Sequence, residues 1–371
     1  MARTKCTKKA IPKGAIELFG DSIIQLKDGR LIFFNLKKNG KVIIYNQNTF
    51  QEIVSINLIE ILEEEILNES EKKDIDYYDE LELRTKISIK QLNNELILIA
   101  FNKYIFEINL LENNFEHKIY KKEKIILELN ELSEQKIIIF TEDNIEILIK
   151  EKNEYIVSKI YDINKNWKII PMAVQKNDKT YKYFYQCYFS YILPNEKLLL
   201  NSFSFETSYK DFPSHNPKEF THSKIIFIDL KNFGEIQSTK EFKKEAKFFV
   251  LKDYVVVQGE DKIYIYDINK LYLIKELNYE YNNFLYKYSN DLLIGASIYE
   301  QENNFLVFHI EENDFIHTCT IKTNFKFYER YINGDRVLKY NNKILFTLND
   351  KRVILLCDQC AYILLQLDLE L

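Results

Sequence analysis

A four-part unit recurs along the chain. A short apolar run and a tight polar turn lead to a second apolar run, and a third run ends in an aromatic and a polar residue before a fourth run follows. The second runs fall at 30–34 (RLIFF), 95–99 (ELILI), 136–140 (KIIIF), 197–200 (KLLL), 254–257 (YVVV), 292–295 (LLIG) and 343–348 (KILFTL), which makes seven copies. Third runs include VIIYN ending at Asn46, KIIFID ending at Asp229, IYIYD ending at Asp267 and NFLVFH ending at His309. Runs this short, rich in β-branched and aromatic residues, are strands rather than helices. The intervening turns carry Lys27-Asp28-Gly29, Asn93-Asn94, Pro194-Asn195 and Asn341-Asn342, residues that tolerate turn geometry.

The spacing between second runs varies from about 40 to roughly 65 residues, the range expected when four-stranded units carry insertions. An all-β fold follows: a single β-propeller of about seven four-stranded blades over residues 15–371. Its insertions are expected to lie on one face. Blades packed against neighbours on both faces need strands that are apolar throughout, and radial closure protects the sheet edges. Two stacked sandwiches are the rival arrangement. Composition agrees, since 26 Tyr and 26 Phe favour strands and only 8 Gly and 5 Pro leave Asn, Asp, Lys and Glu to make the loops.

The segment KIYIYDINKLYLIKEL (262–277) resembles the closing half of a WD repeat, with Tyr266-Asp267 where that superfamily usually has Trp-Asp. KVIIYNQNTFQEIVSI (41–56) has Tyr45-Asn46 in the same place, whereas the Gly-His pair that opens such repeats is missing and Trp167 is not followed by Asp. What the resemblance implies is an interaction platform for a protein partner.

In a four-stranded meander the loops after the second and fourth strands share one face. The longest insertions, 59–84, 162–182 and 204–223, all fall on that face, which is therefore the expected binding face. In the first, Ile59, Leu62 and Ile66 recur at helical spacing beside Glu60, Glu63, Glu64 and Glu65, and Asp74, Asp76, Asp79, Glu80 and Glu82 follow. Glu63, Glu64, Asp76 and Asp79 are the candidate charged contacts, against a solvated acidic loop as the plainer alternative. The third insertion carries Phe205, Tyr209, Phe212 and Phe220, and Tyr209, Phe212 and Phe220 are the candidate aromatic anchors unless they merely pack the loop down.

Catalytic and metal chemistry finds little support. G-x-S-x-G, G-x-x-x-x-G-K-[ST] and G-x-G-x-x-G do not occur. Cys357-Asp358-Gln359-Cys360 has no second cysteine pair to complete a zinc site and falls where a hairpin turn is expected. His309, His317 and Cys319 sit on adjacent runs without a supporting carboxylate, and His215 and His222 read as loop histidines. No metal or cofactor is expected, and an enzyme in the central funnel ranks third among the functional readings.

The first residues form a basic arm, expected to be disordered over 1–14. After loss of Met1 it begins Ala2-Arg3-Thr4-Lys5-Cys6-Thr7, which resembles the start of a histone tail with Cys6 in place of Gln. Through Ala2, Arg3, Thr4 and Lys5 the arm could enter a histone-tail reader, which is the alternative functional reading. A net charge of -5 argues against a broad nucleic-acid surface. No apolar stretch suits a signal peptide or a membrane span. The 5 cysteines, odd in number and scattered, fit a reducing compartment, so cytoplasm or nucleus is expected.

Overall fold

The computed structural model describes residues 6–369 apart from short turns and the longer segments 18–21, 36–39, 66–87, 163–173, 211–218, 298–303, 323–330, 337–344 and 357–360. Strands pair antiparallel with their sequence neighbours into six four-stranded sheets and one five-stranded sheet, the seven blades of a β-propeller. Blade 1 is Ser22–Gln25, Leu31–Asn35, Lys41–Tyr45 and Glu52–Asn57. Blade 2 is Ser88–Gln91, Leu96–Phe101, Tyr104–Leu111 and Asn114–Lys121. Blade 3 is Ile126–Ser133, Lys136–Thr141, Asn144–Glu151 and Glu154–Asp162. Blade 4 is Thr180–Leu193, Lys197–Lys210, Glu219–Asp229 and Gly234–Ser238, with Val174–Asn177 added beside the first. Blade 5 is Lys247–Val250, Tyr254–Gln258, Lys262–Asp267 and Leu273–Asn278. Blade 6 is Asn283–Lys287, Leu292–Ser297, Asn304–Glu311 and Asp314–Lys322. Tyr331–Ile332 and Asp335–Arg336 pair as a separate small hairpin.

Blade 7 corrects two expectations. Its strands are Leu345–Thr347, Arg352–Leu356, Ala361–Leu369 and, on the outside, Cys6–Glu17 from the start of the chain. Ile11 pairs with Gln366 and Ile16 with Tyr362. Residues 6–14 of the expected arm are therefore strand, and only 1–5 of it lie outside the described residues. The run at 343–348 is accordingly the first strand of its blade rather than the second. The chain supplies only three strands at its end because the fourth comes from the beginning, and this pairing closes the ring.

The apolar runs are continuous because alternate residues of a strand serve different neighbours. In blade 2, Ile97 and Ile99 pack with blade 1 while Leu98 and Ala100 pack with blade 3. In blade 3, Ile137 and Ile139 join blade 2, and Ile138 and Phe140 join Leu198 and Leu200 of blade 4. Val255 and Val257 of blade 5 meet Leu199 and Phe227 of blade 4, whereas Val256 meets Leu285 and Phe308 of blade 6. Each fully buried aliphatic or Phe side chain contributes on the order of 1.5–3 kcal/mol.

The aromatic-polar ending of the third runs has a physical explanation in the turn that follows. Tyr45 and Tyr266 are buried, while the next residue caps the turn: Asn46 Oδ1 accepts from Asn48 N and Thr49 N at 2.9 and 3.1 Å, and Asp267 Oδ1 from Asn269 N and Lys270 N at 2.9 and 2.6 Å. Both turns then place one residue at positive φ, Phe50 at 55° and Leu271 at 59°. A short side chain with an acceptor oxygen suffices for this role, so Asn and Asp serve equally.

Outer strands end each sheet and need protection. Six of the seven carry a register shift that bends the edge, in Glu52–Asn57, Glu154–Asp162, Gly234–Ser238, Leu273–Asn278, Asp314–Lys322 and Cys6–Glu17. Asn114–Lys121 is regular and instead carries Glu116, Lys118 and Lys121.

Deletion of 1–17 strips the outer strand from blade 7, lowers the thermal midpoint and exposes the edge of Ala361–Leu369 to self-association, measurable by circular dichroism and size-exclusion chromatography.

Candidate interaction face

The decorated face is built from the connections that leave fourth and second strands. From blade 1, the chain enters the helix Leu58–Glu65. Asn57 Oδ1 accepts the Glu60 N–H at 3.2 Å, a capping bond, and Leu58 N–H donates to the Gly40 carbonyl at 3.3 Å. Gly40 has φ 65°, and a Cβ there would come within 3.3 Å of Ile59, so glycine lets the helix lie close.

Leu58 and Leu62 are buried in the cluster shared by blades 1 and 2, with Ile59 and Ile61 packed against it. Glu60, Glu63, Glu64 and Glu65 are exposed, so the amphipathic reading holds, with Leu58 joining Leu62 as the buried pair. Ile66, Asp76 and Asp79 lie outside the described residues. Three consecutive glutamates occupy the last turn, where the helix dipole favours cations. Glu65 is relieved by His117 of blade 2, whose Nε2 stands 2.7 Å from its carboxylate. Glu63 and Glu64 have no such contact among the described residues.

The region 204–223, read from the sequence as a loop, is mostly sheet. Thr180–Leu193 and Lys197–Lys210 pair without a break from Leu193↔Lys197 out to Thr180↔Lys210, and Glu219–Asp229 continues the ladder. Past Ser190 and Asn201 these strands continue as a paired ribbon about 30 Å long at ordinary strand rise. Tyr209 stands opposite Tyr181, and Tyr185, Phe205 and Phe220 are in register across three strands. By the two-residue period, positions 181, 183, 185, 203, 205 and 209 share one face of the ribbon. Phe212 lies outside the described residues. Sequence reasoning missed Tyr181, Tyr183, Tyr185 and Phe203 because only the pairing of Thr180–Leu193 with Lys197–Lys210 puts them on one ladder with Tyr209, which stands opposite Tyr181. The turn signals marked 204–223 but not its partner strand.

A polar cluster invisible to local motifs joins blades 2 and 3. Buried Glu107 accepts from Lys150 Nζ at 2.6 Å, and its Oε2 also lies 3.3 Å from the Tyr155 hydroxyl and 3.5 Å from that of Tyr120. The two tyrosine rings meet edge to face with centroids 4.9 Å apart. Burial, then the charge of Glu107, pushes the Tyr120 hydroxyl up to about 12, and the same causes raise Tyr155 further. Neither is a base near neutral pH, and the carboxylate is held by three donors, so the cluster binds blades together. Lys90–Glu128 at 3.8 Å and Lys122–Glu146 at 3.2 Å span the same seam.

Among the described residues the histidines and cysteines are not gathered into a ligand set. His309 Nδ1 is 2.7 Å from Thr318 Oγ1 and His317 Nε2 is 3.1 Å from Thr320 Oγ1, while the register shift at Thr318 separates the two rings' strand positions. His222 stands opposite Ser204, and His215 lies outside the described residues. Cys357 and Cys360 also lie outside them, in the connection between Arg352–Leu356 and Ala361–Leu369. Cys319 is disulfide-bonded, which departs from the expectation of free thiols in a reducing compartment. Ala2, Arg3, Thr4 and Lys5 lie outside the described residues. Among the described residues no helix is long and apolar enough to cross a membrane.

No protein-family model matches the chain, and no curated protein matches it by sequence. By structure it is similar to the β-propeller domain of Cps50 (Swd1) from Myceliophteria thermophila, with a TM-score of 0.54 at 9% identity over 97% of this chain and 100% of that one. It is also similar to BamB from Moraxella catarrhalis, with a TM-score of 0.47 at 10% identity over 96% of this chain and 100% of that one. At 9% identity the likeness to the Cps50 domain shows the fold alone, a β-propeller.

Two outcomes separate packing from display on this face. Leu62→Ala should cost about 2–5 kcal/mol in urea unfolding, whereas Glu63→Lys with Glu64→Lys, which puts cations where the dipole favours them, should leave stability unchanged or raise it by up to about 1–2 kcal/mol. The tyrosine pair sets an alkaline limit. An unfolded tyrosine loses its proton near pH 10 while folded Tyr120 holds it to about 12, so its stabilising share is present below 10 and lost between the two. The urea midpoint should fall over that window, and less steeply in a variant with Tyr120→Phe and Tyr155→Phe.

Proposed function

We propose that the chain is a non-catalytic protein-interaction scaffold whose partner is held on the face bearing the three insertions. The observation that carries this reading is the pairing of Thr180–Leu193, Lys197–Lys210 and Glu219–Asp229 into one long ladder, on the face that also carries the acidic helix between blades 1 and 2. A ribbon with a continuous hydrogen-bond ladder offers its positions with less conformational freedom to lose than a loop, which favours affinity. Tyr209, Phe212 and Phe220 are the aromatic anchors, joined by Tyr181, opposite Tyr209, and by Tyr185 and Phe205, in register with Phe220. Glu63, Glu64, Asp76 and Asp79 supply charged contacts that steer a basic partner surface. The glutamates crowd the end of a helix where the dipole disfavours them, as residues kept for contact rather than for helix stability would.

Cross-linking mass spectrometry on tagged full-length protein recovered from its native cell tests the reading. Cross-links to a shared partner should map to 59–84 and 174–223, and Tyr209→Ala with Phe220→Ala should reduce recovery of that partner at least tenfold with the thermal midpoint held. Cross-links confined to the opposite face, or partner recovery unmoved by these changes, would overturn it.

A further inference from the structure

We propose that the outer strand of blade 3, Glu154–Asp162, is where a second copy of this chain pairs edge to edge about a two-fold axis. Ile156, Val157 and Ile160 on this strand are 46%, 38% and 58% exposed. Among the described residues, the outer strands of blades 1 and 5 show one exposed large hydrophobic each, Ile53 and Leu273. A strand at the end of a sheet keeps a row of backbone N–H and C=O groups turned outward, and apolar side chains beside that row make it a template for a further strand. This edge lies on the rim of the propeller, so the pairing is independent of the face that bears the insertions.

The register of the strand selects its own copy as the occupant. Glu154 closes a two-residue turn opposite Glu151, and pairing runs regularly to Val157, opposite Leu148. Lys159 is then opposite Ile147, so Ser158 is one extra residue, its hydroxyl donating to the Ile147 carbonyl at 3.1 Å. Antiparallel residues alternate between bonding inward and outward, and the closing pair of a two-residue turn bonds inward. The backbone groups of Tyr155 and Val157 therefore point outward, as do those of Ile160 and Asp162 beyond the bulge. Ser158 and Lys159 thus separate two outward-bonding positions where an ordinary strand has a single residue. A regular strand fits one half of such an edge and falls out of step with the other. A second copy turned about a two-fold axis carries the same bulge and stays in step: Val157 meets the partner's Ile160, and Tyr155 meets the partner's Asp162.

The two faces of the strand agree in this register as well. Tyr155 packs in the seam with blade 2, and Val157 and Ile160 share its side, opposite Leu148 of that seam and Glu146, which pairs with Lys122 of blade 2. Ile156 and Tyr161 share the side toward blade 4, where Tyr161 packs against the cluster holding Leu198 and Leu200. Exposed Val157 and Ile160 cover one another across the axis, and Ile156 is covered by the partner's Tyr161. No like charges stand directly opposite. Lys159, which falls beside the axis, is drawn aside by its bond to the Lys231 carbonyl at 3.2 Å.

A contact made by one strand from each copy is small, so a dissociation constant in the micromolar range is expected. Sedimentation velocity of the full-length protein from about 1 to 100 µM should show monomer giving way to dimer. Val157→Lys with Ile160→Lys should weaken association at least tenfold with the melting temperature held, because both side chains are exposed. Under mild oxidation, Val157→Cys with Ile160→Cys should yield a dimer whose two copies are joined at these positions by peptide mapping, and Val157→Cys alone should not. A chain that stays monomeric throughout the range, or a dimer untouched by the lysine pair, overturns the proposal. Cross-linking by Val157→Cys alone, or none by the cysteine pair, overturns the register.

Discussion

Everything in this structure depends on the ring being closed. A blade is a small sheet with two apolar faces, and in an open array the two terminal blades would each leave one face in water. The pairing of Cys6–Glu17 with Ala361–Leu369 removes that problem by making the last blade from both ends of the chain. Blade 7 is then held to both neighbours. Arg352 donates to the Gln47 carbonyl at 3.1 Å and lies 5.7 Å over the Phe50 ring of blade 1, and Thr347 Oγ1 donates to the Lys287 carbonyl of blade 6 at 3.2 Å. Because the contacts are between sequence-distant strands, closure carries a large loop-closure cost that the seams together must offset.

The seams share a plan and differ in chemistry. Most are apolar, with alternate residues of one strand sent to either side. Blade 4 meets blade 3 through Asn130, which bonds the Ser190 carbonyl at 3.2 Å, and blade 5 through Asn201, which bonds the Ala246 carbonyl at 2.7 Å. Blades 2 and 3 add three lysine-glutamate pairs to their apolar contact. Paired and hydrogen-bonded charges of this kind contribute little net stability over an apolar seam, yet removing one partner is costly, so they fix which blade faces which.

The two largest additions to this face rest on the core in different ways. The helix Leu58–Glu65 is anchored by Leu58 and Leu62, leaving its acidic edge outward, and the long ladder of blade 4 continues strands whose residues Leu193, Leu198, Leu199 and Leu200 are buried. Backbone pairing that starts in the core is carried out along the ladder.

Much of the fold was legible in the sequence because blade strands obey local rules. Seven similar runs, turn residues between them and an aromatic followed by Asp or Asn at Tyr45-Asn46 and Tyr266-Asp267 are enough to infer a propeller, since strand period and turn chemistry act over a few residues. The common face of the insertions follows from strand alternation alone. Local pattern had no means of showing that residues 6–17 are the outer strand of the last blade, because a basic segment with Pro12 and Gly14 has no strand signature until Ala361–Leu369 offers its edge. The same holds for the ribbon, where Tyr181 and Tyr209 become neighbours only through pairing, and for Glu107, Tyr120, Lys150 and Tyr155, which four separate strands bring to one point. Sequence determined most of the blade strands. Tertiary structure decided which of them meet, because that choice rests on long-range burial and ring closure that no short stretch of chain encodes.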